Sequence, residues 1–225
     1  MATRILRRIG TWVDERLEVR ALSRAFLDRN VPPLGSWTGW LYTLGSATLV
    51  VFALLVVTGI FLASNYSPSP DHAWDSVQFI TNDIPMGSLV RAAHHWSANA
   101  MVVLVFLHGL RVFFMAAYKY PRELTWIVGV FLMLLVLSAA LTGYLLPWDQ
   151  RAYWGTTVST DIVGSIPGVG PFLRKVLIGG DELGAATLTR FYTFHLAVIP
   201  LMLALLIGIH LFMVIRQGIS TPPER

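Results

Sequence analysis

Not one of the 225 residues is cysteine. This excludes disulfides, thiolate-held zinc or iron–sulfur centres, cysteine nucleophiles and any thioether attachment through a Cys-x-x-Cys-His motif. Charge is also scarce: 13 % of residues are charged, against roughly a quarter in soluble domains. Hydrophobic residues make up 55 % and the mean hydropathy is +0.60, which excludes an ordinary soluble protein. The roughly ten-residue alternation of a membrane barrel is missing. The first 36 residues lack the short apolar core and small-residue cleavage site of a signal peptide, so the N-terminus is expected to be retained. Net charge is +4 and the isoelectric point about 9.7. The cations cluster beside apolar runs, which points to membrane orientation and away from nucleic acid.

What is present is four long uncharged runs, and a helix crossing about 30 Å of hydrocarbon needs roughly 20 such residues. They predict spans at about 39–63, 90–118, 124–147 and 189–216. Backbone in lipid must satisfy its own hydrogen bonds, so these runs are read as helices. Pro200 lies inside the fourth and is expected to bend it. Residues 1–36 interleave arginines with Ile5, Leu6, Ile9, Trp12, Val13, Leu17, Leu22 and Phe26, the pattern of an amphipathic helix lying on the membrane. The third-to-fourth connection, with its "GSIPGVGPFLRKVLIGG", predicts short interfacial helices. The expected fold is all-α: a four-helix transmembrane bundle with an N-terminal surface helix, one domain over 1–225. Lys and Arg number seven in the N-terminal segment, three in the second-to-third loop and two at the C-terminus, against five in the other connections. The positive-inside rule then puts both termini on the negative, cytoplasmic side.

Ionisable residues inside spans are costly and mark function. His94, His95 and His108 lie in the second span, His195 and His210 in the fourth. The step from His94 to His108 is about 21 Å of rise and ends about 40° short of four full turns, so the two rings share a face. Starting from His95 leaves a mismatch of about 140°, which selects His94 and turns His95 toward interfacial packing. His195 and His210 are separated by about 22 Å and about 60° past four turns. The two spans run parallel, so His94 can meet His195 and His108 can meet His210. Two imidazole pairs stacked across the bilayer suit two bis-histidine haems. Hydrogen bonding between helices, or zinc or copper held by His pairs, is the alternative.

Arg91 stands three residues before His94 and Arg111 three after His108, on the same faces and displaced toward the wet edges. Cations there suit haem propionates, with snorkelling anchors as the alternative. Gly45 and Gly59, then Gly129 and Gly143, repeat the His94–His108 spacing on the first and third spans. A flat macrocycle between helices needs bare backbone at two depths; close small-residue packing is the alternative.

The order of these glycines and histidines, with "HHWSA", "YPRELTW", "GYLLPWDQ" and "LTRFYTFH", closely resembles the cytochrome b6 family over nearly the whole chain. That family is the short N-terminal half of cytochrome b in quinol:cytochrome c or plastocyanin oxidoreductases. The resemblance implies that His94 and His195 ligate a positive-side haem and His108 and His210 a negative-side one. Arg91, Arg111 and Arg122 match positions contacting haem carboxylates, and Leu141, Gly155 and Val158 are candidates for the wall of the quinol oxidation pocket. Electrons from quinol would divide between a Rieske iron–sulfur protein and the two haems, the latter reducing quinone on the negative side.

Further partners implied are a subunit IV-like C-terminal cytochrome b chain carrying the family's Pro-Glu-Trp-Tyr motif, which is absent here, and a c-type cytochrome, in a dimeric, lipid-embedded complex. Thr43 replaces the cysteine of chloroplast-type members, so a cysteine-linked haem is not expected; Arg216 is followed directly by Gln217, without their intervening lysine. A dihaem anchor for a peripheral dehydrogenase, and a cofactor-free structural subunit, are the competing readings; "PWDQ" and the matched glycines argue against the anchor.

Overall fold

The computed structural model describes residues 37–220, together with Arg8, Thr11 and Trp12. The surface helix expected over residues 1–36 lies outside the described residues but for those three. Among the described residues every regular element is helical. A helical turn, Trp37–Trp40, and a 3-10 turn, Leu41–Thr43, lead into α1, Leu44–Ala63. α2 is Ala73–Asn82, α3 Gly87–Phe114 and α4 Glu123–Leu145. Next come α5, Gln150–Gly164, and α6, Gly170–Ile178, the short helices anticipated between the third and fourth spans. α7, Ala185–Thr193, passes through a π turn, Phe194–Val198, into α8, Ile199–Gln217. Four stretches are long and apolar enough to cross a membrane: Leu41–Ala63, Gly87–Phe114, Glu123–Leu145 and Ala185–Gln217.

Three features differ from expectation. α2 was not anticipated, although Ala73, Val77 and Ile80 fall at helical spacing and are its buried residues. Its Ile80 carbonyl lies where a Cβ on Gly87 would stand, so only glycine lets α3 begin against α2. α3 ends at Phe114 instead of continuing to about residue 118, because Ala116 adopts a left-handed φ of 50° and turns the chain. In the fourth span the irregularity expected at Pro200 takes the form of a π turn. The Ile199 N–H bonds to the Phe194 carbonyl, five residues back. A π turn accommodates one additional residue without breaking the helix, next to a proline that cannot donate. His195 to His210 therefore spans one residue more than His94 to His108 while the phase of the two steps becomes alike, about 40° short of four turns.

α1 packs against α3, α4 against α8, and the two pairs join along α3 and α4. Met101, Val136, Ile199 and Leu203 form the mid-depth core. A second cluster, Ala73, Leu145, Leu188 and Phe191, closes the end carrying α2 and α5. There the Tyr66 hydroxyl donates to the Leu146 carbonyl at 2.7 Å and its ring lies 5.4 Å from that of Tyr192. Burial, and then Tyr192, push the Tyr66 phenol well above its ordinary range, so it remains a neutral donor. Only 6–17 % of each spanning window is buried, which leaves side chains such as Val50, Phe114 and Leu201 facing outward as lipid demands.

Candidate haem-binding site

Each of the four singled-out glycines faces one histidine. A Cβ on Gly45 would stand 3.2 Å from His108 Cε1, on Gly59 3.2 Å from His94 Cε1, on Gly129 3.4 Å from His210 Cε1, and on Gly143 2.5 Å from His195 Cε1. The clearance expected at these glycines is occupied by the edge of the imidazole itself. α1 thus supplies bare backbone to both histidines of α3, and α4 to both on the fourth span. The His94 and His195 ring centroids are 6.3 Å apart with planes at 71°. His108 lies within electrostatic reach of His210 and Arg111. Both pairings expected from helical phase are brought together, at two depths.

Thr58 Oγ1 lies 2.9 Å from His94 Nδ1, and Thr142 Oγ1 lies 3.3 Å from His195 Nδ1. The Ala139 carbonyl is 3.0 Å from His195 Nδ1, and a carbonyl can only accept, so that nitrogen carries the proton. His210 Nδ1 is buried and has no hydrogen-bond partner of good geometry, although the Thr125 carbonyl is nearby. Among the described residues no three His, Cys, Asp or Glu side chains converge as a metal-binding group, so the zinc or copper alternative lacks a third protein ligand. His95 is exposed on the outer face, its ring edge toward Trp96 and its carbonyl accepting from Asn99 Nδ2 at 3.1 Å.

The arginines differ from one another. Arg111 is directed into the bundle end, its guanidinium carbon 3.8 Å from the centroid of the Tyr42 ring, and its Nε and Nη2 are buried without partners. Two unpaired cationic donors are costly unless an anion meets them. Arg91 Nη1 approaches Thr81 Oγ1 of α2 at 3.5 Å. Arg122 Nε donates to the Gly218 carbonyl at 3.2 Å, and Tyr42 Oη to the Ser220 carbonyl at 3.0 Å, tying the chain beyond α8 across the ends of α1 and α4.

The residues proposed for a quinol pocket are less clearly assembled. Gly155 abuts the Tyr144 ring, where a Cβ would come within 2.7 Å of Cε1, while Val158 is exposed and Leu141 half-buried. An open cleft of about 440 Å³ lies nearby, lined by Trp74, Trp148, Asp149, Gln150 and Arg151, and none of the three belongs to it. Thr58, Thr142, Thr81 and Tyr42 join the site without having been expected there. The signal for the first two was available: Thr-Gly stands at 58–59 and again at 142–143.

The model of the family described as "Cytochrome b/b6/petB" matches residues 32–218. The chain belongs to the cytochrome b/b6 family. It is 40 % identical over 223 residues to the menaquinol:cytochrome c reductase cytochrome b subunit of Geobacillus thermodenitrificans, covering 97 % of this chain and 100 % of that one. To the cytochrome b6 of Heliobacterium mobile it is 42 % identical over 212 residues, covering 94 % and 99 %. A solved structure titled "Hyperthermophilic respiratory Complex III" superposes with a TM-score of 0.84 at 36 % identity, over 94 % of this chain and 56 % of that chain. This cytochrome b/b6 chain is thus an integral, multi-pass membrane protein of a b-type haem family. Its residues fit such a group: imidazoles at two depths, bare glycines beside each, and buried arginine donors lacking an anion.

Proposed function

We propose that the chain is the dihaem cytochrome b subunit of a quinol:cytochrome c (or plastocyanin) oxidoreductase. It carries electrons across the membrane from a positive-side quinol oxidation site to a negative-side quinone reduction site, contributing to proton-motive force. The observation that carries this is the one-to-one facing of four histidines by four glycines at two depths. Near full-length likeness to cytochrome b subunits favours it over the dehydrogenase anchor.

His94 and His195 would hold the iron of the positive-side haem, and His108 and His210 that of the negative-side haem. Two non-covalent b-type haems there supply reversible one-electron acceptance in a medium that otherwise excludes charge. The chain's own contribution begins at His195, whose Nδ1–H donates to the Ala139 carbonyl, leaving Nε2 unprotonated with a lone pair available to ligate iron. Arg111, with Nε and Nη2 unpaired, would meet a haem carboxylate; Arg91 and Arg122 would serve the same chemistry. Gly45, Gly59, Gly129 and Gly143 keep Cβ atoms out of both levels. Leu141, Gly155 and Val158 would wall the exchangeable quinol, with both termini on the negative side. A subunit IV-like chain, a Rieske protein and a c-type cytochrome would complete a dimeric complex.

A dithionite-reduced-minus-oxidised spectrum of the purified complex tests this: a b-type absorption band is expected, and its absence rejects the reading. His108→Ala should remove one haem and largely spare the other. Loss of both from a folded chain would reject the pairing.

A further inference from the structure

The four histidine–glycine contacts are not equivalent. The residue preceding Gly59 is Thr58 and that preceding Gly143 is Thr142, whereas Leu44 precedes Gly45 and Val128 precedes Gly129. One helix position therefore carries a hydroxyl at the level of His94 and His195 and an alkyl group at the level of His108 and His210. Thr58 is 6 % exposed and Thr142 8 %. A hydroxyl has a single proton, and each of these already donates to its own helix: Thr58 Oγ1 to the Leu54 carbonyl at 2.7 Å, Thr142 Oγ1 to the Ser138 carbonyl at 2.8 Å. What remains toward the imidazole is a lone pair, so His94 Nδ1–H donates to Thr58 and His195 Nδ1–H is shared between Thr142 and the Ala139 carbonyl. At the other level the positions before the glycines offer no hydroxyl, and the buried His210 Nδ1 has the Thr125 carbonyl beside it at poor geometry.

Resting on the dihaem reading above, we infer that Thr58 and Thr142 are positioning residues that lower the reduction potential of the positive-side haem relative to the negative-side haem. An acceptor on Nδ1–H makes Nε2 a more basic iron ligand, which favours the oxidised metal. The level lacking the hydroxyls holds the electron better. The resulting gap points from the His94–His195 level to the His108–His210 level. An electron moving that way travels toward the negative side against the membrane potential, and the gap offsets that opposing field.

The test is a redox titration of the purified complex, followed by absorption, with each haem assigned through the His94→Ala and His108→Ala variants. In the double variant Thr58→Val, Thr142→Val the positive-side midpoint should rise, by about 59 mV for a tenfold change in a one-electron equilibrium. The double variant Thr58→Ser, Thr142→Ser keeps both hydroxyls and should titrate like the parent. Val128→Thr places a hydroxyl on the level that lacks one, beside His210 Nδ1, and should lower the negative-side midpoint. That substitution decides the matter if the valine variant loses its haem. Both haems retained with unmoved midpoints in the valine variant, or an unmoved negative-side midpoint in Val128→Thr, overturns the inference. A parent complex without b-type haem instead overturns the dihaem reading beneath it.

Discussion

At the scale of single residues, the site is built by what is omitted. A methyl group at Gly143 would come within 2.5 Å of His195 Cε1, a distance real Cβ atoms do not keep, and His195 cannot retreat without leaving the Ala139 carbonyl. At Gly129 the corresponding approach to His210 is 3.4 Å, an ordinary contact. Alanine substitutions should therefore grade by position. Gly143→Ala is expected to cost about 1–3 kcal/mol of overpacking and most of the haem at its level. Gly59→Ala and Gly45→Ala should be milder, and Gly129→Ala close to neutral. Haem content per chain, from pyridine haemochrome spectra of the purified variants, checks the order; equal losses at all four positions would contradict the packing argument. Arg111 makes the opposite case, a group present without a partner. Arg111→Leu should weaken retention of the negative-side haem more than Arg122→Leu does, since Arg122 already spends Nε on the Gly218 carbonyl. The two-component reduced-minus-oxidised spectrum reads that difference.

At the scale of the element, the π turn at Phe194–Val198 keeps the fourth span in register with the second. Removing Ala197 from it should leave a regular helix with His195 and His210 still about 40° short of four turns apart, and both haems bound. Removing Ala204 from the regular part of α8 should instead swing His210 by about 100° and abolish the negative-side haem. Comparable spectra from the two deletions would show that the π turn is not setting phase. Tyr66 offers a second test at this scale. Tyr66→Phe deletes the hydrogen bond to the Leu146 carbonyl and should cost about 1 kcal/mol, seen as a lower thermal midpoint. Much of this architecture was legible beforehand, because lipid forces long apolar helices and because rings about 140° out of phase cannot face the same ligand. Phase alone separated His94 from His95, and the structure turns His95 outward. α2 was missed because ten residues of amphipathic helix carry too little periodic signal beside spans more than twice as long. The π turn was visible only as the extra residue between His195 and His210, and its geometric meaning depends on backbone bonding that composition does not record. Thr58 and Thr142 were passed over because threonine in a span ordinarily bonds its own helix, which both of them also do.

At the scale of the whole molecule, direction matters as much as fold, since transfer across a membrane is useful only with a fixed orientation. The cation imbalance favours the second-to-third loop on the negative side and the long third-to-fourth connection on the positive side. Lys119 lies in that loop and Glu182 in that connection, and both are exposed. The absence of cysteine makes either position uniquely addressable: a thiol placed there is the only one in the chain. In sealed right-side-out vesicles, a membrane-impermeant maleimide should label Glu182→Cys and leave Lys119→Cys unmodified until the vesicles are opened. Inverted vesicles should reverse the pattern. Labelling of Lys119→Cys from outside in intact right-side-out vesicles would invert the molecule. It would place the His108–His210 level on the positive side, and the gap inferred from Thr58 and Thr142 would then point toward the positive side, where there is no opposing membrane potential for it to offset.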